Sequence, residues 1–282
     1  DQALEAFEKS LAVKEETTDV QGTAEIYQEM GTAYQSSGEQ VQAKAMYEKA
    51  VEILLELNDL PQLAQTYFKM GNIYRDNGDP ENAVASYQKS LDYATEIGNT
   101  LYQAKSHYAL GVVSQELYEW ENALDYYQRA IIAYHNVSDT PGLAKSYYRM
   151  GTVYHDLGEW NQAFEYYQKS LPLFEKTGDL YNTAQTLGNI SSIEFEQHRY
   201  QEAIYKQVEI LLYFQERNKQ ELVDHTLGNL TACHQELGED AFQPILENSL
   251  QVVSQKGVLW GKHNVVPADK AAKLVSRIFY NE

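Results

Sequence analysis

Catalysis needs nucleophiles, acid–base pairs or metal ligands at set spacings, and this chain offers few of them. It has no glycine-rich phosphate loop, no His-Glu-x-x-His and no cysteine pair. Its seven histidines are scattered, and the single cysteine, Cys233, stands among apolar helix residues where a buried, inert thiol is expected. Glu194 and His198 have the i, i+4 spacing that puts two ligands on one helix face, but no third ligand accompanies them. No catalytic residue, metal site or cofactor is therefore expected. Three glycosylation-type triplets, beginning at Asn136, Asn189 and Asn229, lie in or beside helical stretches and are discounted. The more promising chemistry is cationic. Lys105 and Lys145 each precede a glycine by six residues, Lys69 and Arg149 precede one by two, and Arg75 and His155 follow one by four. Charged donors gathered in this way suit an anionic ligand.

Those glycines belong to a repeat. Met30-Gly31, Met70-Gly71, Leu110-Gly111 and Met150-Gly151 recur every forty residues, as do Ala43, Ala83, Ala123, Ala163 and Ala203, and Tyr47, Tyr87, Tyr127 and Tyr167. A fixed period of this size marks a solenoid whose units bury their apolar faces against their neighbours. Within Leu60 to Asp76 the apolar and small residues recur at three- and four-residue steps, the pattern of one helical face. Gly78 stops that helix, and Asp79-Pro80-Glu81 opens the next with proline in the first turn and acids at the positive end of the helix dipole. The layout predicts a lone helix at about 1–17 and helix pairs at 20–57, 60–97, 100–137, 140–177, 180–217 and 219–255. Small residues at Gly31 and Ala43 let two helices approach closely.

Composition narrows the function. The formal charge is -19, which argues against nucleic-acid and anionic-membrane partners. No stretch approaches the ~20 apolar residues of a membrane-spanning helix. The sequence enters in mid-repeat at Asp1 without a signal-like segment, and is read as a piece or processed form of a longer cytoplasmic protein. Residues 1–255 carry 39 acidic and 17 basic side chains, whereas 256–282 carry 2 and 5. That tail predicts a loop around Trp260 and a capping helix from Pro267, with Ala271, Leu274, Val275 and Ile278 on its apolar face.

With Tyr67, Met70, Gly71, Tyr74, Ala83, Tyr87 and Ser90 in one unit, and Tyr147, Met150, Gly151, Tyr154, Ala163, Tyr167 and Ser170 in another, the array resembles the tetratricopeptide repeat. Its forty-residue period is similar to the longer-helix subtype of Pins/LGN-like adaptors and bacterial regulators. The resemblance implies an all-α, right-handed superhelical solenoid of antiparallel helix pairs over 1–255, with the capping helix at 256–282. It also implies a concave groove lined by the first helix of each pair. Lys69, Asn72, Arg75, Lys105, Tyr108, Lys145, Tyr148, Arg149 and His155 fall at groove positions, together with Phe68. Asn72, Lys145 and Arg149 match the offsets of carboxylate-clamp domains, while Ala109 and Phe68 depart from them.

The function expected is that of a non-enzymatic adaptor or scaffold that takes an acidic protein or peptide segment into the groove. The alternative is a peptide- or ligand-sensing module of a larger regulator, and open repeat ends would permit self-association. An acidic row at Asp76, Glu116, Asp156, Glu196 and Glu236 offers the basic residues a competing set of partners. The fifth repeat departs from the pattern at Ser191, Glu194 and His198. Leu187-Gly188-Asn189 and Leu227-Gly228-Asn229 imitate the signature three residues out of phase. The sixth has a shortened turn at Gly238-Glu239-Asp240-Ala241.

Overall fold

The computed structural model describes residues 2–17, 19–216 and 219–256. The predicted loop and capping helix of 256–282 lie, apart from Lys256, outside the described residues. Among the described residues there are thirteen helices: α1 (Gln2–Glu16), α2 (Val20–Ser36), α3 (Gln40–Leu57), α4 (Leu60–Asp76), α5 (Pro80–Glu96), α6 (Thr100–Glu116), α7 (Trp120–Asn136), α8 (Thr140–Asp156), α9 (Trp160–Thr177), α10 (Leu180–Glu196), α11 (Tyr200–Glu216), α12 (Gln220–Leu237) and α13 (Glu239–Lys256). They form two compact units, Asp1–Val153 and Tyr154–Glu282. No helix among the described residues is long and apolar enough to cross a membrane.

The connections explain the regularity. Every twenty residues one backbone position turns left-handed: Gly38, Asn58, Gly78, Gly98, Tyr118, Ser138, Gly158, Gly178 and His198 all have φ between 52° and 82°. The two amides beyond each such helix end fold back onto its last carbonyls, as where Gly78 N–H meets Arg75 O and Asp79 N–H meets Tyr74 O. This closes the helix and satisfies otherwise orphaned acceptors. The next residue is already the cap of the following helix. Asp19, Asp59, Asp79, Asn99, Asp139 and Asp179 each accept a hydrogen bond from the amide three residues on, at 2.9–3.2 Å. Glu39, Glu119 and Glu159 occupy the same position without such a bond. The missing sixth-repeat residues have a visible effect: Gly238 alone separates α12 from α13.

In the first unit, α2 packs on α3, α4 on α5 and α6 on α7, while α3 meets α4 and α5 meets α6. The repeat residues are the core. Ala43, Ala83 and Ala123 are fully buried, as are Tyr47, Tyr87 and Tyr127. Each tyrosine ring lies flat against the glycine of the preceding helix. A Cβ added to Gly31, Gly71 or Gly111 would stand 2.5–2.8 Å from the ring of Tyr47, Tyr87 or Tyr127. The small residue expected for close helix approach is thus the seat of one particular aromatic ring. Leu143 of α8 packs against Ala130 and Tyr134 of α7.

In the second unit, α10 packs on α9 and α11, and α11 also packs on α12 and α13. Its core is mainly aliphatic, built on Ile204, Val208, Leu211, Leu230 and Leu246, with Phe214 and Phe242 among them. Ser191 replaces the repeat glycine, and its hydroxyl donates to Ala203 O at 3.0 Å. A side chain fits there because residue 207, forty after Tyr167, is Gln and no ring presses on that position.

Candidate peptide-binding site

The tip of each core tyrosine in the first unit reaches a polar residue on a first helix. Tyr47 Oη lies 3.0 Å from Thr32 Oγ1, Tyr87 Oη donates to Asn72 Oδ1 at 2.7 Å, and Tyr127 Oη donates to Gln115 Oε1 at 2.8 Å. Helices α4 and α6 also touch directly, so these tips lie along neighbouring first helices. Around them stand the predicted cations. Lys69 Nζ donates to Thr32 Oγ1 at 2.9 Å and sits 5.7 Å from the centroid of Tyr47. Arg75 shares the surroundings of Tyr87 with Asp76 and Glu116. Arg149 is within electrostatic reach of Tyr108, Tyr127 and Tyr148. Sequence periodicity treats these tyrosines as packing alone; the structure shows a buried ring with a hydrogen-bonded polar end.

The cations differ in how their charge is met. Arg75 Nη2 bonds Asp76 Oδ1 at 2.9 Å, so one member of the acidic row is taken up as a simple ion pair. Lys69 and Arg149 are half-buried, and among the described residues no carboxylate lies within salt-bridge distance of either. Burial lowers the Lys69 ammonium below its ordinary range, opposed by the more distant Glu29. Burial also acts against the Arg149 guanidinium, but the phenol oxygens of Tyr108, Tyr127 and Tyr148 outweigh it and hold the group above its ordinary value. Burial raises the phenol pKa values of Tyr87 and Tyr127 as well, so these groups remain neutral donors.

Other predicted residues are placed less closely. Lys105 covers the ring of Tyr102 at 4.8 Å, and Tyr102 in turn meets Phe68 edge-on at 6.1 Å. Asn72 is on this face, but its carbonyl is occupied by Tyr87. Tyr108 packs against Tyr127 at 5.8 Å. Tyr148 lies in the electrostatic reach of Arg149. Lys145 is exposed on α8. His155 belongs to the second unit, where it meets Trp160 edge-on at 4.9 Å.

Glu194 and His198 do not approach one another as ligands. Glu194 is buried, and both its oxygens accept from Lys206 Nζ at 2.7 Å, with Arg199 Nη1 at 3.9 Å from Oε1. His198 occupies the left-handed turn and places Nδ1 2.7 Å from Tyr200 Oη. No group of three or more metal-binding side chains occurs among the described residues. Cys233 is buried, and its thiol is pushed up to about 11, which keeps it protonated.

One series of contacts escaped the sequence reading. Lys49 lies over Tyr27 at 5.1 Å and Lys89 over Tyr67 at 4.8 Å, a forty-residue ladder of cation–π pairs. The recurrence continues in sequence at Arg129 and Lys169, but Arg129 pairs with Asp125, and Lys169 with Glu165 and the ring of Tyr166. The ladder uses basic residues for packing and leaves the face around Tyr47, Tyr87 and Tyr127 as the candidate site.

Comparisons with known proteins agree with this architecture. No curated protein sequence matches the chain. Its fold is shared with the tetratricopeptide sensor protein PH0952 of Pyrococcus horikoshii, a signal transduction ATPase with numerous domains, at TM-score 0.73 and 19% identity over 87% of this chain. The match spans 39% of that chain. It is shared also with aspartyl phosphate phosphatase F of Bacillus subtilis, at TM-score 0.64 and 19% identity over 94% of this chain and 67% of the other. A Rap protein complexed with competence and sporulation factor matches at TM-score 0.58 and 16% identity, over 92% of this chain and 74% of the other. By sequence family, residues 142–211 match the tetratricopeptide repeat, and residues 1–148, more than half of the chain, match the soluble NSF attachment protein, SNAP. The chain belongs to the SNAP family of tetratricopeptide-type helical arrays.

Proposed function

We propose that the chain is a non-catalytic protein-binding array whose first unit takes an acidic peptide segment on the face of α4, α6 and α8. The observation that supports this most directly is the state of Lys69 and Arg149. Both are cations in partly desolvated positions, Lys69 bonded to the Thr32 hydroxyl and Arg149 set among tyrosines, without a bonded carboxylate among the described residues. A desolvated charge without a counter-ion is unfavourable, and an incoming carboxylate relieves that cost. Arg75 is the contrast, since Asp76 already neutralises it. Tyr108 and Phe68 supply flat surface beside the charges, which favours an extended segment over a lone ion.

The regulatory alternative remains a statement about context. PH0952 carries its tetratricopeptide array as a sensor, and the Rap structure holds a competence and sporulation factor. A sensory role would use the same face, with an effector elsewhere in a longer protein.

The test is to pan a random dodecapeptide library on the full chain and on the Lys69→Gln/Arg149→Gln variant. Sequences rich in Asp and Glu are expected to be enriched on the wild type and to bind the variant at least tenfold more weakly, with thermal unfolding little changed. Enrichment without acidic bias, or equal binding to both proteins, refutes the assignment.

A further inference from the structure

The out-of-phase glycines of the second unit stand on the same helical positions that carry Phe68, Tyr108 and Tyr148 in the first. Gly188 lies in the interior of α10 and Gly228 in that of α12, each followed by Asn. Glycine weakens a helix interior and is retained where something must come close. At Gly31, Gly71 and Gly111 that neighbour is a tyrosine ring. At Gly188 and Gly228 no described atom lies within 4 Å of an added Cβ. Their reason is therefore not packing among the described helices.

A cleft of about 130 Å³ opens beside Gly188, lined by Ser191, Ser192, Phe195, Gln207, Asn229 and Cys233. Its volume approaches the roughly 150 Å³ that accommodates a benzene ring. The cleft exists because Gln207 replaces the repeat tyrosine and leaves the space of the ring unfilled. Gln207 is only 3% exposed. Its Oε1 accepts from Asn229 Nδ2 at 3.4 Å, while no acceptor among the described residues meets its Nε2. Asn229 likewise keeps its Oδ1. One amide donor and one amide acceptor thus face the cleft side by side, the complement of the C=O and N–H of a peptide group. No charged side chain lines the cleft, and the buried Cys233 thiol stays neutral.

We infer that the cleft between α10 and α12 binds the main chain of an extended, uncharged peptide segment, with Gln207 and Asn229 reading one peptide group and the bare backbone at Gly188 admitting it. The segment carries a small side chain where it crosses Gly188, and Phe195 forms the apolar wall beside it. This site is separate from the acid-binding face in residues and in chemistry.

The experiment uses a dodecapeptide library without Asp, Glu, Lys or Arg, panned on the full chain and on the Gly188→Ala variant. An alanine methyl fits at this position in the free protein, so the variant should melt higher than wild type. The enriched peptides are expected to bind it at least tenfold more weakly, and N-methylation of one central residue should weaken wild-type binding to a similar degree. A variant that melts higher and binds equally well would overturn the proposal, as would a library that yields no enriched peptide or binders indifferent to N-methylation. Because these peptides carry no charge, a negative result here leaves the acidic-segment assignment standing, and the reverse also holds.

Discussion

Three residues before the repeat glycine position, the first unit has Gln28 and then Phe68, Tyr108 and Tyr148, whereas the second has Gly188 and Gly228. Sixteen residues after that glycine position, the first unit has Tyr47, Tyr87 and Tyr127 with their rings buried, and the second opens with the buried Tyr167 but then has Gln207. One scaffold therefore presents two kinds of surface. In the first unit aromatic rings fill the space between helices and raise polar tips among cations. In the second a carboxamide replaces the ring, glycines replace the aromatics, and a neutral cleft remains. The comparison shows that a repeat fixes where side chains stand but leaves their chemistry free, because stability resides in Ala, Gly and the apolar partners common to both units.

The two units also treat charge differently, and the largest expected effect breaks them apart on that point. Lys206→Met leaves the Glu194 carboxylate buried with only Arg199 nearby at 3.9 Å. A loss of about 3 kcal/mol is expected in urea denaturation at neutral pH. Arg75→Met in the first unit removes an ion pair whose members are 31% and 41% exposed. It should cost no more than about 1 kcal/mol. Equal losses would show that the Glu194 pair is as hydrated as the Arg75 pair.

Alanine at glycine positions should give opposite signs. Gly71→Ala brings a methyl to 2.5 Å from the Tyr87 ring and should destabilise by about 1–3 kcal/mol. Gly188→Ala meets no described atom and should stabilise by about 0.5–1 kcal/mol. Thermal melts of the two single variants measure both. A destabilised Gly188→Ala would mean that the second-unit glycine is a packing residue after all.

Capping should make no distinction between units. Asp59→Ala and Asp179→Ala each remove a bond to the amide three residues on and should cost about 1 kcal/mol, whereas Glu159→Ala removes none and should cost little. The smallest effect belongs to Glu175. Burial, with Glu209 adding repulsion, raises its carboxyl above the ordinary range. A raised folded-state value means that the folded protein holds the proton more tightly, so the penalty at neutral pH is relieved as pH falls through that value. Glu175→Gln should stabilise by a few tenths of a kcal/mol at neutral pH and flatten the dependence in weak acid, a small effect because the carboxyl is only partly desolvated on a largely exposed side chain and its charge is screened. Melting temperatures measured across weakly acidic to neutral pH check it.

Local rules made most of the array legible. The predicted pairs at 20–57, 60–97, 100–137, 140–177 and 180–217 each contain two helices of the structure, because Gly78 and Asp79-Pro80 announce a stop and a start through backbone preference alone. The shortened turn at Gly238 was legible for the same reason. Lys69, Asn72, Tyr108 and Arg149 could be grouped from the sequence only as a set of offsets, since a repeat converts spacing into an expected direction. What the offsets could not convey was the partner of each charge. Nothing in the sequence separates Arg75, which rests on Asp76, from Lys69 and Arg149, which rest on Thr32 and Tyr108.

The sequence by itself determined the period, the helix ends and the buried Ala and Tyr positions. These depend on backbone propensity and on residues close in the chain. Tertiary structure alone decided that Glu194 belongs to Lys206 rather than to His198. It likewise decided that Tyr87 spends its hydroxyl on Asn72, and that replacing a tyrosine by Gln207 opens a cleft beside Gly188. Those outcomes depend on which groups meet across neighbouring helices, where burial and the distance between side chains set the strength of each interaction.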